Sequence, residues 1–451
     1  MTPATIAILP ETNARPEFIA REKALQRLLT AYIVAGLFFM LLPGTFLGFW
    51  NLLSISANHT VRSLSPAWLQ AHGHAQIFGW IGTFILGIGF YSLSKMGHLP
   101  PFAVSRGWTA FALWAAGALL RWTANVTGFA WRAALPISAL LELAGFLIFF
   151  RTVAGHRPAH SAGAPLPGQA PKPAPKPAWM LIVIGSTLGF LASLLANLAV
   201  TVYTALRGTD PAVPGALDQR LLLLPTWGFL VPAVWGFNAR WLPVFLGLKS
   251  PHGRRLFAAL FTAWAGIAAG LSGAAVLSAV FLIAASLLAI AALRVLETAA
   301  QPAKLNGVHP SFPLFVRGAY AWLLVAAALT LPAALADRFG GIWGASRHAL
   351  TVGFLATMVF SIGQKVLPAF CGMRVLLGKR LMFASLAVLN LGCLLRVSSE
   401  ILAYEGYFRH AWSCLPVSAM LELTAVILFA GNLAGTLLLP PAHLLAHRNF
   451  A

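Results

Sequence analysis

The chain has 451 residues, of which 59% are hydrophobic and only 9% charged. Soluble domains average about 25% charged residues, so a soluble enzyme, a disordered chain and a fibre are excluded. The net charge of +20 would point to nucleic acid in a soluble protein. Here Lys and Arg sit at the ends of apolar runs and act as topology signals, so no nucleic-acid partner is expected.

Residues 1–28 are too polar for a signal peptide, and the first apolar run already has spanning length. They are read as a cytoplasmic N-terminal segment. Apolar runs bounded by Pro, Gly and charge then predict helices over 29–50, 71–95, 107–125 and 134–152, a first four-helix unit (29–152). The stretch 153–178 contains APLPGQAPKPAPKPA and reads as a Pro-rich cytoplasmic linker. A second unit (179–296) holds 179–206, 221–246, 254–271 and 273–296. A third (314–440) holds 314–336, 346–370, 380–402 and 412–440, and 441–451 forms a cytoplasmic tail. Backbone groups in lipid must be bonded internally, so these segments are helices. Twelve of them at about 20 residues each would use roughly half of the chain. The excess of Lys and Arg on the side of the termini places both termini in the cytoplasm. Cys371, Cys393 and Cys414 form no CxxC motif and read as packing residues.

Internal repeats organise this list. Residues 74–96 align with 348–370, with His, Ala, Gly, Thr, Ile, Gly and Leu in common. LPISALLELAGFLIFF (135–150) aligns with LPVSAMLELTAVILFA (415–430), which pairs Glu142 with Glu422, and 228–247 aligns with 353–372. The expected fold is an all-α polytopic membrane protein. Its twelve transmembrane helices form three four-helix units in a pseudo-threefold ring, with helices 2, 6 and 10 lining the pores between units.

Of 12 histidines, three fall at span starts: His72, His74 and His348. Histidine inside a membrane span usually faces the interior or a cavity. Three at repeat-related positions and one depth point to a metal or haem site, rather than to histidines bonded singly across helices. Residues i and i+2 of a helix lie about 200° apart, so His72 and His74 look into different pores. In a three-unit ring, His72 meets His348 across the pore between helices 2 and 10. Two imidazoles across an apolar slot, flanked by Gly73, Gly79 and Gly353, suit a six-coordinate haem b. His74 faces helix 6 with no opposite ligand, which leaves two readings: a second metal centre with an open position, hence one or two haems, or a hydrogen-bonded histidine.

HGHAQIFGW (72–80), SRHALTVGFLATM (346–358) and NARWLPVF (238–245) resemble the NnrS proteins, bacterial membrane proteins that bind haem and copper and are linked to nitric oxide tolerance. More distantly the plan resembles subunit I of haem-copper oxidases: His72, Ile77-Phe78 and Phe90-Tyr91 fit their low-spin haem helix, and His348 with Pro368 fits the second ligand. The resemblance implies a bacterial inner membrane, a diatomic gas ligand such as nitric oxide, a redox partner and copper beside haem. The departures are specific. Ser346 stands where the oxidases carry a high-spin haem ligand, spans 221–246 and 254–271 lack the copper histidines, and Ala75-Gln76 replaces the usual NnrS Glu-Met. Dioxygen reduction is therefore not expected, while a haem-dependent oxidoreductase remains open.

Arg121 and Arg396, both in LLR, either pair with haem propionates or snorkel to the interface. Glu142 and Glu422 lie deep in their spans, either protonated or paired with an Arg of the same unit. The repeat favours a structural clamp over a proton path. Gln364, Lys365, Asn238 and Arg240 read as interface anchors. Trp80 and Trp227 are candidates for haem contact by location only. Two other functions compete: a transporter without a redox cofactor, and an accessory subunit of a respiratory complex.

Overall fold

The structure is a computed structural model that describes residues 14–95, 102–155, 177–372 and 374–439. Most of the expected Pro-rich linker, the C-terminal tail and the first thirteen residues lie outside the described residues. Among the described residues there is no strand. The helices are α1 (14–58), α2 (66–95), α3 (Val104–Thr127), α4 (Trp131–Ala154), α5 (Ala178–Arg207), α6 (Gly215–Phe245), α7 (Gly253–Leu271), α8 (Ala275–Leu293), α9 (Phe312–Ala336), α10 (Gly341–Phe370), α11 (Lys379–Tyr404) and α12 (Ala411–Leu438).

Ten of these are long and apolar enough to cross a membrane; α3 and α7 are not among the ten. Both carry arginines within or at the start of the helix, Arg106 and Arg121 in one, Arg254 and Arg255 in the other, which lowers their apolar character.

Capping moves two helix starts outward from the apolar runs. Ser65 accepts a hydrogen bond from the Ala67 amide ahead of Pro66, so α2 begins at Pro66 rather than at residue 71. Asp337 accepts from the Gly340 amide (2.6 Å) and the Trp343 amide (2.7 Å), so α10 begins at Gly341. As a result His72, His74 and His348 stand one to two turns inside their helices rather than at the ends.

Four π-helical segments interrupt the α-helices: Met40–Phe46 in α1, Ala75–Gly82 in α2, Leu224–Leu230 in α6 and Ala349–Ala356 in α10. The last three occupy positions that the sequence alignments superpose. In α1 the cause is local, because Pro43 lacks an N–H and breaks the regular ladder. Wider turns shift carbonyls out of register, and side chains from neighbouring helices reach them, as apolar surroundings require. Trp122 donates to Pro43 O (3.2 Å), Trp114 to Phe78 O (3.2 Å) and Ser186 to Phe229 O (2.9 Å).

Three helix pairs form closely packed hairpins, α3/α4, α7/α8 and α11/α12. Each turns at a glycine with positive φ: Gly128 (68°), Gly273 (92°) and Gly406 (76°). Between hairpins, α4 packs on α5, α8 on α9, and α12 back on α1, so the chain closes on itself. The cores are aromatic, with Phe190 stacked on Phe229 (3.8 Å) and Phe360 on Phe429 (3.9 Å).

Asn238 and Gln364 are buried rather than interfacial. Asn238 donates to the Tyr320 hydroxyl (2.8 Å), and Gln364 accepts from Asn432 (2.6 Å). Amides pair across helices when lipid offers no partner. Lys365 and Arg240 behave differently: Lys365 binds Asn306 O (2.5 Å), and Arg240 lies over the Trp179 ring (4.8 Å).

One helix crossing leaves no space at all. A Cβ on Gly189 of α5 would run into the Gly228 carbonyl group in the π-segment of α6. Backbone cannot rotate aside as a side chain can. Gly189→Ala is therefore expected to destabilise the protein by about 3 kcal/mol, the upper end for overpacking, read as a lower unfolding temperature in detergent. Gly318→Ala, where nothing lies within 4 Å of the added carbon, is expected to cost nothing measurable.

Candidate functional site

The seat for His72 is built by α1. The π-segment at Pro43 presents the Gly44 carbonyl, which lies 2.9 Å from His72 Nδ1. A carbonyl only accepts, so Nδ1 carries the proton and Nε2 keeps its lone pair. One turn on, Gly48 lets the ring lie against the helix: a Cβ there would stand 2.6 Å from His72 Cε1. Gln76 reaches back to Thr45 of the same segment (2.9 Å) and holds α2 against α1.

His348 is held in the same tautomer by different means. Its Nδ1 lies 2.9 Å from Gly344 O, one turn back in α10. Glu400 Oε2 of α11 stands 3.0 Å from the same nitrogen, without the alignment of a hydrogen bond. The carboxylate fits because Gly344 has no side chain; a Cβ there would collide with it. His72 lies within electrostatic range of His348 and Arg396, so these groups share one region. Both histidines are only half-buried, and the His348 side chain keeps 24% exposure where Glu400 keeps 4%. Deeper in the bundle α2 and α10 meet edge to face through Trp80 and Phe360 (6.2 Å). Trp80 is buried and its Nε1 donates to no acceptor.

Arg396 borders the same region. It is 5% exposed, and its Nη2 reaches Glu400 Oε1 at 3.4 Å. Among the described residues its Nε and Nη1 are buried with no acceptor, and Glu422 Oε1 is buried with no donor. Burial rules out snorkelling to the interface.

His74 belongs to a different set of neighbours. Its Nε2 is 2.6 Å from Glu142 Oε1, and its ring stacks on Phe78 at 4.6 Å. Asn197 donates to Glu142 Oε2 (3.3 Å). Arg121 is 4% exposed, lies within electrostatic range of Glu142 and Asp218, and leaves Nε and Nη1 without acceptors. The sequence alignment sets His74, Arg121 and Glu142 against His348, Arg396 and Glu422, yet the pairings differ. The position four residues after the arginine decides this. In α11 it is Glu400, beside His348 Nδ1. In α3 it is Asn125, which donates to Pro211 O (2.6 Å), and Glu142 takes His74 Nε2 instead.

The flanking glycines divide. Open space surrounds Gly73, whereas a Cβ on Gly79 would meet Phe39 at 3.0 Å and one on Gly353 would meet Trp322 at 2.5 Å. These two serve close helix packing. Trp227 is buried in the core. Among the described residues no group of three or more His, Cys, Asp or Glu forms a metal-ion cage. A haem asks less of the protein, namely axial ligands and donors for its carboxylates. Two imidazoles with Nε2 uncommitted and a buried guanidinium with unspent donors fit that demand. Pro43, Gly44, Gly48, Asp218 and Glu400 were not singled out from the sequence. A proline inside an apolar run, the small-xxx-small pair Gly44/Gly48, and an acid one turn after Arg396 were the available signals.

Residues 227–435 match the family model of a domain of unknown function, DUF8744. The match contains His348, Arg396, Glu400 and Glu422, and it stops short of His72 and His74. No curated protein matches the sequence. Among solved structures the chain is similar to one from a haem-copper terminal oxidase dimer, at 13% identity with a TM-score of 0.71, over 93% of this chain and 85% of that one. The chain thus shares the helical membrane fold of haem-copper oxidases.

Proposed function

We propose that this protein is a membrane haem b protein in which His72 and His348 supply the two axial ligands. The observation that carries the reading is the matched state of the two rings: each donates Nδ1–H to a glycine carbonyl at 2.9 Å and leaves Nε2 free. A second-sphere carbonyl fixes tautomer and ring direction in this way at metal-binding histidines. Arg396 would hold a propionate through Nε and Nη1, and Trp80 would form the floor. A haem so bound supplies a one-electron couple. The chain's own part is to keep the rings oriented, exclude water and neutralise the carboxylates.

The reading includes a ring of three four-helix units, with α3 and α7 completing twelve crossings and both termini in the cytoplasm of a bacterial inner membrane. With both axial positions taken by imidazole, electron transfer is the role that the arrangement supports. The NnrS-like motifs direct it to nitric oxide handling, which would require one imidazole to give way. In this reading His74 is a hydrogen-bonded histidine held by Glu142. Oxygen reduction at a haem-copper pair is not part of it, because α6 and α7 carry no histidine.

The test is a pyridine haemochrome assay on protein purified from haem-replete cells. One haem b per chain with a low-spin, bis-imidazole electron paramagnetic resonance signal is expected. A preparation with no Soret band overturns the proposal.

A further inference from the structure

At the opposite end of the bundle from the histidines, the start of α1, the end of α12 and the turn after α10 border an open pocket of about 510 Å³. We propose that this open pocket binds the headgroup of an anionic phospholipid. Lys23, Arg27 and Arg374 line it. Neither Lys23 nor Arg27 forms an ion pair among the described residues. Arg374 is fixed in place by three backbone carbonyls, those of Cys371 (3.1 Å), Thr436 (3.1 Å) and Leu439 (2.5 Å). Those bonds use Nε and Nη1, which leaves Nη2 for a ligand.

Among the described residues no carboxylate lines the pocket to offset these three. Burial pushes the Cys371 thiol up to about 11, so it stays protonated. The nearby carboxylate, Glu22, accepts from Tyr91 (2.9 Å) and Gln26 (3.1 Å). Thr30 and Gln26 add neutral polar groups that can bond to a phosphodiester or a glycerol hydroxyl.

The other walls decide between a lipid and a free phosphate. Ala31 and Val34 continue along α1 away from Lys23 and Arg27, and Leu437 and Leu438 flank the pocket at the end of α12, with Leu438 61% exposed. A soluble anion has no use for an apolar strip that leads away from the charges along membrane-crossing helices. Acyl chains do. Basic pockets between membrane helices bind anionic headgroups by this combination.

The test is native mass spectrometry of the detergent-purified full-length protein with phosphatidylglycerol, with phosphatidylcholine and with inorganic phosphate. Phosphatidylglycerol is expected to bind selectively. The double variant Lys23→Ala/Arg27→Ala should weaken it by about 30-fold with unchanged circular dichroism, while Lys23→Arg should bind as the parent does. Equal binding of the two lipids, a double variant that binds phosphatidylglycerol as the parent does, or displacement of the lipid by millimolar phosphate would each overturn the proposal. None of these outcomes depends on haem content.

Discussion

Alanine at position 348 is expected to remove the low-spin haem signal from the purified protein, and alanine at position 72 to do the same. The two rings have separate supports, one on α1 and the other on α10 and α11, so loss of one leaves the other in place. A haem held from one side only would be five-coordinate and high-spin, or absent. Disturbing an outer-sphere partner alone costs about 10–100-fold in affinity, and removing the ligand itself costs more. The control is His74→Ala. It lies two residues from His72 but gives its Nε2 to Glu142, so the Soret band should survive while the unfolding temperature falls, because Glu142 is left buried without that partner. Absorbance and electron paramagnetic resonance of the three variants at equal protein concentration check this. If His74→Ala, and not His72→Ala, removes the low-spin signal, the assignment of ligands is wrong.

The helices were legible in the sequence because lipid imposes a simple rule: apolar stretches of spanning length, closed by Pro, Gly and charge. Helix starts were less legible. Ser65 and Asp337 cap helices beyond the apolar runs, and capping is local chemistry that hydropathy does not register. The histidines stood out because ionisable groups are rare in such segments. Their supports did not. The π-turn at Pro43 and the absence of a side chain at Gly48 matter only once α1 lies beside α2, and nothing along the chain announces that contact. Asn238 and Gln364 were misplaced for the same reason: an amide near a span end looks interfacial until the helix opposite, with Tyr320 or Asn432, is known.

Two buried carboxylates beside Arg396 are expected to respond to removal in opposite ways. Glu400 is 3% exposed and its Oε1 is 3.4 Å from Arg396 Nη2, with the Tyr404 hydroxyl as a neutral partner of the same guanidinium. Arginine does not deprotonate in proteins, so Glu400→Ala leaves a cation in the bundle without its counter-charge. Breaking a buried pair from one side costs about 3–5 kcal/mol. The same substitution takes away the carboxylate 3.0 Å from His348 Nδ1, so haem retention should fall as well. Glu422 lies in electrostatic range of the same arginine, but its Oε1 has no donor. A volume-conserving change, Glu422→Met, removes an unsatisfied polar group and should cost less than about 1.5 kcal/mol. Thermal unfolding of both variants in one detergent separates the two. A larger loss for Glu422→Met than for Glu400→Ala would make Glu422 the true counter-ion of Arg396. It would also undo the account of why His348 and His74, which occupy matching positions in the alignment, differ in the nitrogen they leave free.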